Sequence, residues 1–366
     1  MFLLTILNFI PKNSPSIIGG DIERKNMQNS KKSILCITHS KDTFPIEWVI
    51  KHLNSAGVKG VRLNSDQFPL HVQIGGSIKP STFNSENALV QSDVGTVIST
   101  EDWLIDESNI GAVWHRKNVT SDLSSALEGD ILGQATRESE SIKCSLLHGL
   151  SDVFWLDHPN IQMASENKWL QLRLARKAGL DIPATLFTNI PSQVTEFYKQ
   201  HKGDIVAKMH TPLTVSMGKP PAFVYTSKVT EEHLKDLASL RFSPMIFQQR
   251  IVKQTELRIA YVDGHCFPAQ VNLNSEDDKE LLDWRKAPPT ISNWKHIDIP
   301  EELVRKIRVF MNSMNLKFGA IDIILDMGHK YQFLEVNPAG EWGMLEAELD
   351  LPISKHIAQT LIKYSN

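Results

Sequence analysis

Ala320-Ile321-Asp322-Ile323-Ile324, followed after Met327-Gly328-His329 by Phe333-Leu334-Glu335-Val336-Asn337, is the stretch on which the reading of this chain turns. Side chains alternate across a strand, so a carboxylate inside an apolar run needs a reason to be there. Read as a hairpin of residues 319–325 and 331–336, the two runs put Asp322 opposite Glu335 and Asn337 and gather three oxygen donors on one surface. Such hard donors suit magnesium, which keeps waters and is completed by the phosphates of a bound nucleotide. Taken singly, each carboxylate is more readily read as a strand-end group hydrogen-bonded to backbone. The three at this spacing favour a cation.

Outward from the hairpin, cations fall where phosphates would need them. Lys168 starts a helical pattern, where the N-terminal field favours anions, and Lys208 ends the strand Ile205-Val206-Ala207-Lys208. The loop of residues 209–221 is placed to close over a nucleotide, but with Gly218 as its one glycine it is a weak phosphate loop, and no GxxxxGK[ST] motif occurs. Arg258 and Arg285 are the candidates to hold a transferred phosphoryl group, because guanidinium offers paired donors to oxyanions. Ordinary salt bridges to Glu256 and Asp283 are the alternative for these two. The thirteen histidines show no HExxH or HxxH spacing, so zinc catalysis is not indicated.

The rest of the chain alternates strands and helices. Residues 33–38 read as a buried strand, residues 46–53 as a helix closed by Gly57, and residues 58–63 as the next strand. This β-α-β unit announces an open parallel sheet. A further strand is expected over 111–115 and a helix over 129–149, ending a first α/β domain near residue 158. A helix over 167–178, short strands, and helices over 191–201 and 231–240 make a second block. Beyond residue 245 the pattern is β-rich, with helices over 301–314 and 353–364. The domain boundaries are thus 1–32, a disordered or mis-started extension with Met27 as an alternative start, then 33–158, 159–244 and 245–366.

Composition narrows the function classes. With Lys+Arg 39 against Asp+Glu 42 the net charge is −3, which offers no field for nucleic acid. The three cysteines form no CxxC pair, so a cytoplasmic enzyme without disulfides or structural zinc is expected. The apolar Met1–Ile10 lacks a basic flank and cleavage site, and no segment is long enough to span a membrane.

In this order Lys168, Lys208, the strand Phe247-Gln248-Gln249-Arg250-Ile251, Arg258, Asp322, Glu335 and Asn337 resemble the ATP-grasp superfamily. The resemblance implies an α/β fold in which an N-terminal doubly wound, pre-ATP-grasp domain precedes two α+β subdomains. It also implies ATP and two magnesium ions, with Gln248, Gln249, Arg250 and Ile251 as the adenine hinge and Glu256 as a ribose candidate. Within the superfamily, Ile34-Leu35-Cys36-Ile37-Thr38-His39-Ser40-Lys41-Asp42, Val61-Arg62-Leu63-Asn64-Ser65-Asp66-Gln67-Phe68-Pro69, Trp114-His115-Arg116 and Glu335-Val336-Asn337-Pro338-Ala339-Gly340-Glu341-Trp342 resemble the microviridin-type, or graspetide, peptide maturases. That family implies phosphorylation of Asp or Glu side chains of a ribosomally made precursor peptide, leader and core, and closure of ester or amide rings. A homodimer is compatible with it. The hinge departs from relatives that carry an acidic residue there, and His115 replaces an aromatic, so Arg116 receives no role. A ligase joining free amino acids, a nucleotide-binding carrier of leader peptides and a small-molecule kinase are the alternative readings.

Overall fold

Strand β1 (Ser33–Thr38) is buried along its whole length, as a central parallel strand covered on both faces must be. The computed structural model describes residues 32–78, 82–83, 89–90, 94–210, 214–215, 222–223, 226–271 and 294–365. Helix α1 (Phe44–Ser55) returns the chain to β2 (Gly60–Asn64), which pairs in parallel with β1. On the other side β1 pairs in parallel with β3 (Ile110–His115), and β3 with β4 (Phe154–Leu156), so the order is β2-β1-β3-β4. The chain reverses its direction of travel across the sheet between β1 and β3, which opens a crevice at their carboxyl ends. Alternate residues divide between two cores. Ile34, Cys36, Ala112 and Trp114 face α1, whereas Leu35, Ile37, Leu63 and Val113 face Leu147 of α2 (Gly129–His148).

After α3 (Lys168–Lys177), a second sheet is antiparallel: β5 (Thr185–Thr188), β6 (Ile205–Lys208) and β7 (Met245–Gln249), with β7 between the other two. The helix expected over 231–240 stops at Lys235, and a separate turn of 3-10 helix follows over Ala238–Arg241. Asp236 leaves the helical region at φ −128°, a break that accompanies the packing of Leu234, Leu237 and Leu240 into the Val194 core.

The third sheet has the order β10-β9-β8-β11-β12, built from β8 (Lys253–Val262), β9 (His265–Val271), β10 (Trp294–His296), β11 (Phe318–Asp326) and β12 (Tyr331–Asn337). Its apolar face, with Leu257, Ile259, Ile321, Ile323 and Phe333, covers Leu303, Ile307 and Phe310 of α4 (Glu301–Ser313) and Leu172 of α3. The last helix, α5 (Ile353–Tyr364), lies between the first sheet and the third: Ile357 and Leu361 share one core with Ile34 and Trp114 and with Ala260 and Phe267. A second joint is polar. The Asp157 carboxylate, just past β4, accepts backbone N–H groups of Lys317 (3.1 Å) and Phe318 (2.9 Å) at the start of β11, and burial pushes its pKa up to about 7. No helix among the described residues is long and apolar enough to cross a membrane.

Candidate active site

On the third sheet, cross-strand register places Arg258, Asp322 and Glu335 in one row over β8, β11 and β12, and Ala260, Ala320 and Asn337 in the next. The expected opposition of Asp322 and Glu335 is therefore direct, with Asn337 one step along. A bulge sharpens it. Pairing passes from Asp322 with Glu335 to Ile323 with Phe333, so Leu334 is the extra residue. Phe333 and Glu335 have the same parity in the sequence, yet Phe333 is fully buried against Phe310 while Glu335 reaches the polar face.

The row is electrically paired. Arg258 Nη1 donates to both Asp322 oxygens, at 2.7 and 2.9 Å, so its ion pair is with the residue opposite rather than with Glu256, which pairs with Lys253. Lys168 pairs with Glu335. It is aimed there because α3 is locked to β12. The Gln171 amide gives a hydrogen bond to Val336 O (2.9 Å) and takes one from Val336 N (3.0 Å), and the Asn167 side chain caps the helix by accepting Leu170 N (3.0 Å).

From the second sheet, Lys208 at the end of β6 donates to Gln248 Oε1 at 2.6 Å, and the Gln248 amide donates to Thr185 Oγ1 at 2.9 Å. Burial lowers the Lys208 pKa and Lys168 adds to this, while Glu335, Asp322 and Glu256 oppose it. All four neighbours come from α3 and the third sheet, so the two sheets face one another across the site. Gln249 donates its N–H to Ala184 O (2.9 Å). Arg250 then turns its side chain to Asp204 (2.5 Å), and Ile251 completes the short connection into β8. Gln248 thus lines the cleft wall, and Gln249, Arg250 and Ile251 form the link between its two sides. Arg285 lies outside the described residues, as do residues 211–213 and 216–221 of the expected closing loop.

The structure adds residues the sequence did not single out for a role. At the carboxyl end of β3, Arg116 grips Asp42 with Nε at 2.7 Å and Nη2 at 3.1 Å, and the same Nη2 reaches Glu341 Oε2 at 2.9 Å. Lys117 pairs with the other Glu341 oxygen. Burial opposes the Arg116 charge, but Asp42 and Glu341 outweigh it and hold its pKa above the ordinary value. Glu341 in turn offers its carbonyl to Arg258 Nη2 (3.3 Å). Gly340 is required there, because a Cβ would stand 2.4 Å from Ala320 Cβ and 2.9 Å from Arg258 Nη2. The sequence signal lay in the motifs Ile34-to-Asp42, Trp114-His115-Arg116 and Pro338-to-Trp342, which prove to be in contact.

The donor set is chemically selective. Among the described residues no three His, Cys, Asp or Glu side chains cluster as metal ligands, which leaves two carboxylates and the Asn337 amide. That set fits a hard cation drawing its remaining oxygens from phosphate and does not fit zinc. Asn337 Oδ1 uses one lone pair on Ala339 N (3.1 Å) and keeps a second. Arg258 Nε is buried without an acceptor among the described residues, a donor suited to an anion above the row.

A family model described as the MvdD pre-ATP grasp domain matches residues 33–162. The macrocyclase MdnC of Microcystis aeruginosa MRC, solved bound with precursor peptide MdnA, is 30% identical with a TM-score of 0.76, covering 90% of this chain and 99% of its own. MdnB of the same organism is 36% identical with a TM-score of 0.70 and the same coverage of 90% and 99%. A RiPP-associated ATP-grasp ligase of Chryseobacterium gregarium, in complex with ADP and a leader and core peptide, is 30% identical with a TM-score of 0.81, covering 91% and 97%. No curated protein matches the chain.

Proposed function

We infer the activity from one premise: this chain belongs to the ATP-grasp ligases of the microviridin macrocyclase family. It is an ATP-dependent ligase on a pre-ATP-grasp domain followed by an ATP-grasp fold. We propose that its substrate is a ribosomally made precursor peptide, leader and core. A carboxylate oxygen of an Asp or Glu side chain attacks the γ-phosphorus of ATP, ADP leaves, and an acyl phosphate results. A Ser or Thr hydroxyl or a Lys amine of the same peptide then attacks the acyl carbon, the acyl C–O bond breaks, phosphate leaves with its electron pair and takes up the nucleophile's proton, and an ester or amide ring closes.

The observation that carries this reading is the row Arg258, Asp322, Glu335 across three strands, with Lys208 facing it from the second sheet. Asp322, Glu335 and Asn337 would hold magnesium, two ions in our reading, whose contribution is to neutralise phosphate charge. Lys168 and Lys208 orient the phosphates, while Gln248, Gln249, Arg250, Ile251 and Glu256 receive adenine and ribose. Arg258, joined by Arg285, presents donors to the charge that develops on the transferred phosphoryl group and on the acyl phosphate. No side chain need form a covalent intermediate, because positioning and charge neutralisation suffice for phosphoryl transfer.

We place the domain limits at 33–158, 159–244 and 245–366, with α5 returning to pack against the first sheet. Cys36, Cys144 and Cys266 are free thiols, which supports work in a reducing cytoplasm. The test is incubation with ATP, magnesium and the peptide encoded beside the gene. The expected product has lost one water per ring, with ADP and phosphate released in step and dependence on the peptide's acidic side chains. Turnover with free amino acids alone would overturn the proposal.

A further inference from the structure

Two stretches of the chain, Trp114-His115-Arg116 and Pro338 to Trp342, meet although 225 positions separate Arg116 from Glu341. Arg116 is 4% exposed and is spent in two directions. One is inward, to Asp42, which also accepts Thr38 Oγ1 at 2.5 Å, and the other is outward, to Glu341. Its guanidinium lies about equally far from two indoles, 6.0 Å from the Trp114 ring and 5.9 Å from Trp342. Trp342 is fully buried against Trp48, so the residue after Glu341 is fixed to the first domain as well.

We propose that Arg116 is a positioning residue for the ligase reaction, acting through Glu341. By holding the Glu341 carboxylate at the crevice between β1 and β3, it fixes the Glu341 carbonyl that Arg258 uses. It thereby sets the angle at which Arg258 meets Asp322 and the space above them. The geometry gives the chain of contact without a gap: Asp42, Arg116, Glu341, Arg258, Asp322. Gly340 makes it tight, since the loop passes Ala320 and Arg258 at distances that leave no room for a side chain. Arginine is the residue for this task because a single planar fork serves two carboxylates at fixed angles, which an ammonium does not. The first domain in this way supplies a strut to the metal cradle of the third sheet.

This inference rests on the ligase reading, and the experiment separates the two. The safe variant is Glu341→Gln, whose side chain is 48% exposed and leaves no buried charge uncompensated. With wild type, E341Q, R116Q and the R116Q/E341Q double variant, kcat for peptide-dependent ADP release is measured beside the Kd for ADP by calorimetry. E341Q is expected to lower kcat by about 10². ADP affinity stays within about threefold, because Lys208 and Gln248 hold the nucleotide from another sheet. If Arg116 works through Glu341, the double variant is no slower than the slower single one. Unchanged kcat in E341Q overturns the proposal, as do losses that multiply in the double variant. A parallel loss of ADP affinity and thermal stability also overturns it, since a merely structural role gives that result. Should R116Q fail to fold, E341Q alone decides. A wild type that releases no ADP with the peptide counts against the ligase reading, a result distinct from an active wild type matched by E341Q.

Discussion

The first sheet and the third handle buried charge in opposite ways. In the parallel sheet the two central strands, β1 and β3, hold no Asp, Glu, Lys or Arg; Arg62 of the edge strand β2 pairs with Glu47 of α1, and Asp42, Arg116 and Lys117 stand beyond the ends of β1 and β3. In the antiparallel third sheet, Arg258, Asp322 and Glu335 sit in mid-strand on one face, while the other face is a core. A parallel sheet covered on both sides has no face to give to chemistry, so it offers only its rim. An antiparallel sheet needs one dry face and can spend the other. Under the proposed function, the mid-strand row of the third sheet is the reaction surface, and the charges at the strand ends of the first sheet hold that surface in place.

The largest expected effect tests the mid-strand half. Asp322→Asn and Glu335→Gln should each reduce peptide-dependent ADP release by about 10³ or more, the scale of lost electrostatic stabilisation at a reacting phosphoryl group. The melting temperature of Glu335→Gln should stay near the wild-type value, because the amide keeps an acceptor oxygen for half-exposed Lys168, whereas Asp322→Asn removes the counter-charge of the buried Arg258 and should melt lower. Steady-state kinetics with thermal melts checks both halves. Retained activity would mean that these charges, too, are structural.

Lys143 is the converse case and comes next. It is fully buried in α2, and its ammonium donates to Ser65 O (3.1 Å), Val119 O (3.0 Å) and Glu140 (2.8 Å). Lys143→Met should cost about 3 kcal/mol, because it removes the counter-charge of Glu140 and the ammonium's bonds to two carbonyls, leaving Glu140 its bonds to Ser121. ADP affinity should not change. Denaturant unfolding beside calorimetric titration with ADP separates the two, and a loss of affinity without destabilisation would break the contrast.

Lys208 sits between these cases, half-buried and assigned to the nucleotide. Lys208→Met should weaken ADP binding by about tenfold to thirtyfold, or roughly 1.4 to 2 kcal/mol. It should leave unliganded stability level or higher, since burial already disfavours its charge. An unchanged Kd would reassign Lys208 to the scaffold.

The same contrast explains what the sequence disclosed. Asp322 and Glu335 stood out because their neighbours are apolar, and the first strand stood out because residues 34–37 all are. Nothing local revealed that Arg258 opposes Asp322, since that register joins strands 64 positions apart. Alternation alone would put Phe333 on the face of Glu335; the bulge at Leu334 turns it onto Phe310 instead. Helices Pro159–Ser165 and Gly343–Leu349 went unread because they are too short to show a helical period. Arg116 received no role from the sequence because His115 departs from the family pattern, and its partner Glu341 lies at the far end of the chain.

The smallest effect concerns titration at the first sheet's rim. His115 ends β3, bonded through Nδ1 to Gln162 Oε1 at 2.6 Å, with Trp155, His148 and His158 grouped beside it. Burial lowers its pKa to about 4, and His148 and His158 push the same way against the Gln162 hydrogen bond. Above the ordinary pKa of about 6.5 the ring is neutral folded or unfolded. Below it the unfolded chain binds a proton that the folded ring refuses, so stability is lost as pH falls towards 4, by about 1 kcal/mol at about pH 5.5. Asp157 acts with the opposite sign. Its folded pKa of about 7 means the native state takes up a proton first and gains stability as pH falls over the same interval. His115→Gln should therefore make the protein gain stability on mild acidification, and Asp157→Asn should make it lose stability, when urea midpoints are compared at pH values of about 7 and 5.5. Matching slopes in wild type and H115Q would show that the rim histidine does not titrate with folding, and that this end of the first sheet is held by the Asp42 and Arg116 charges alone.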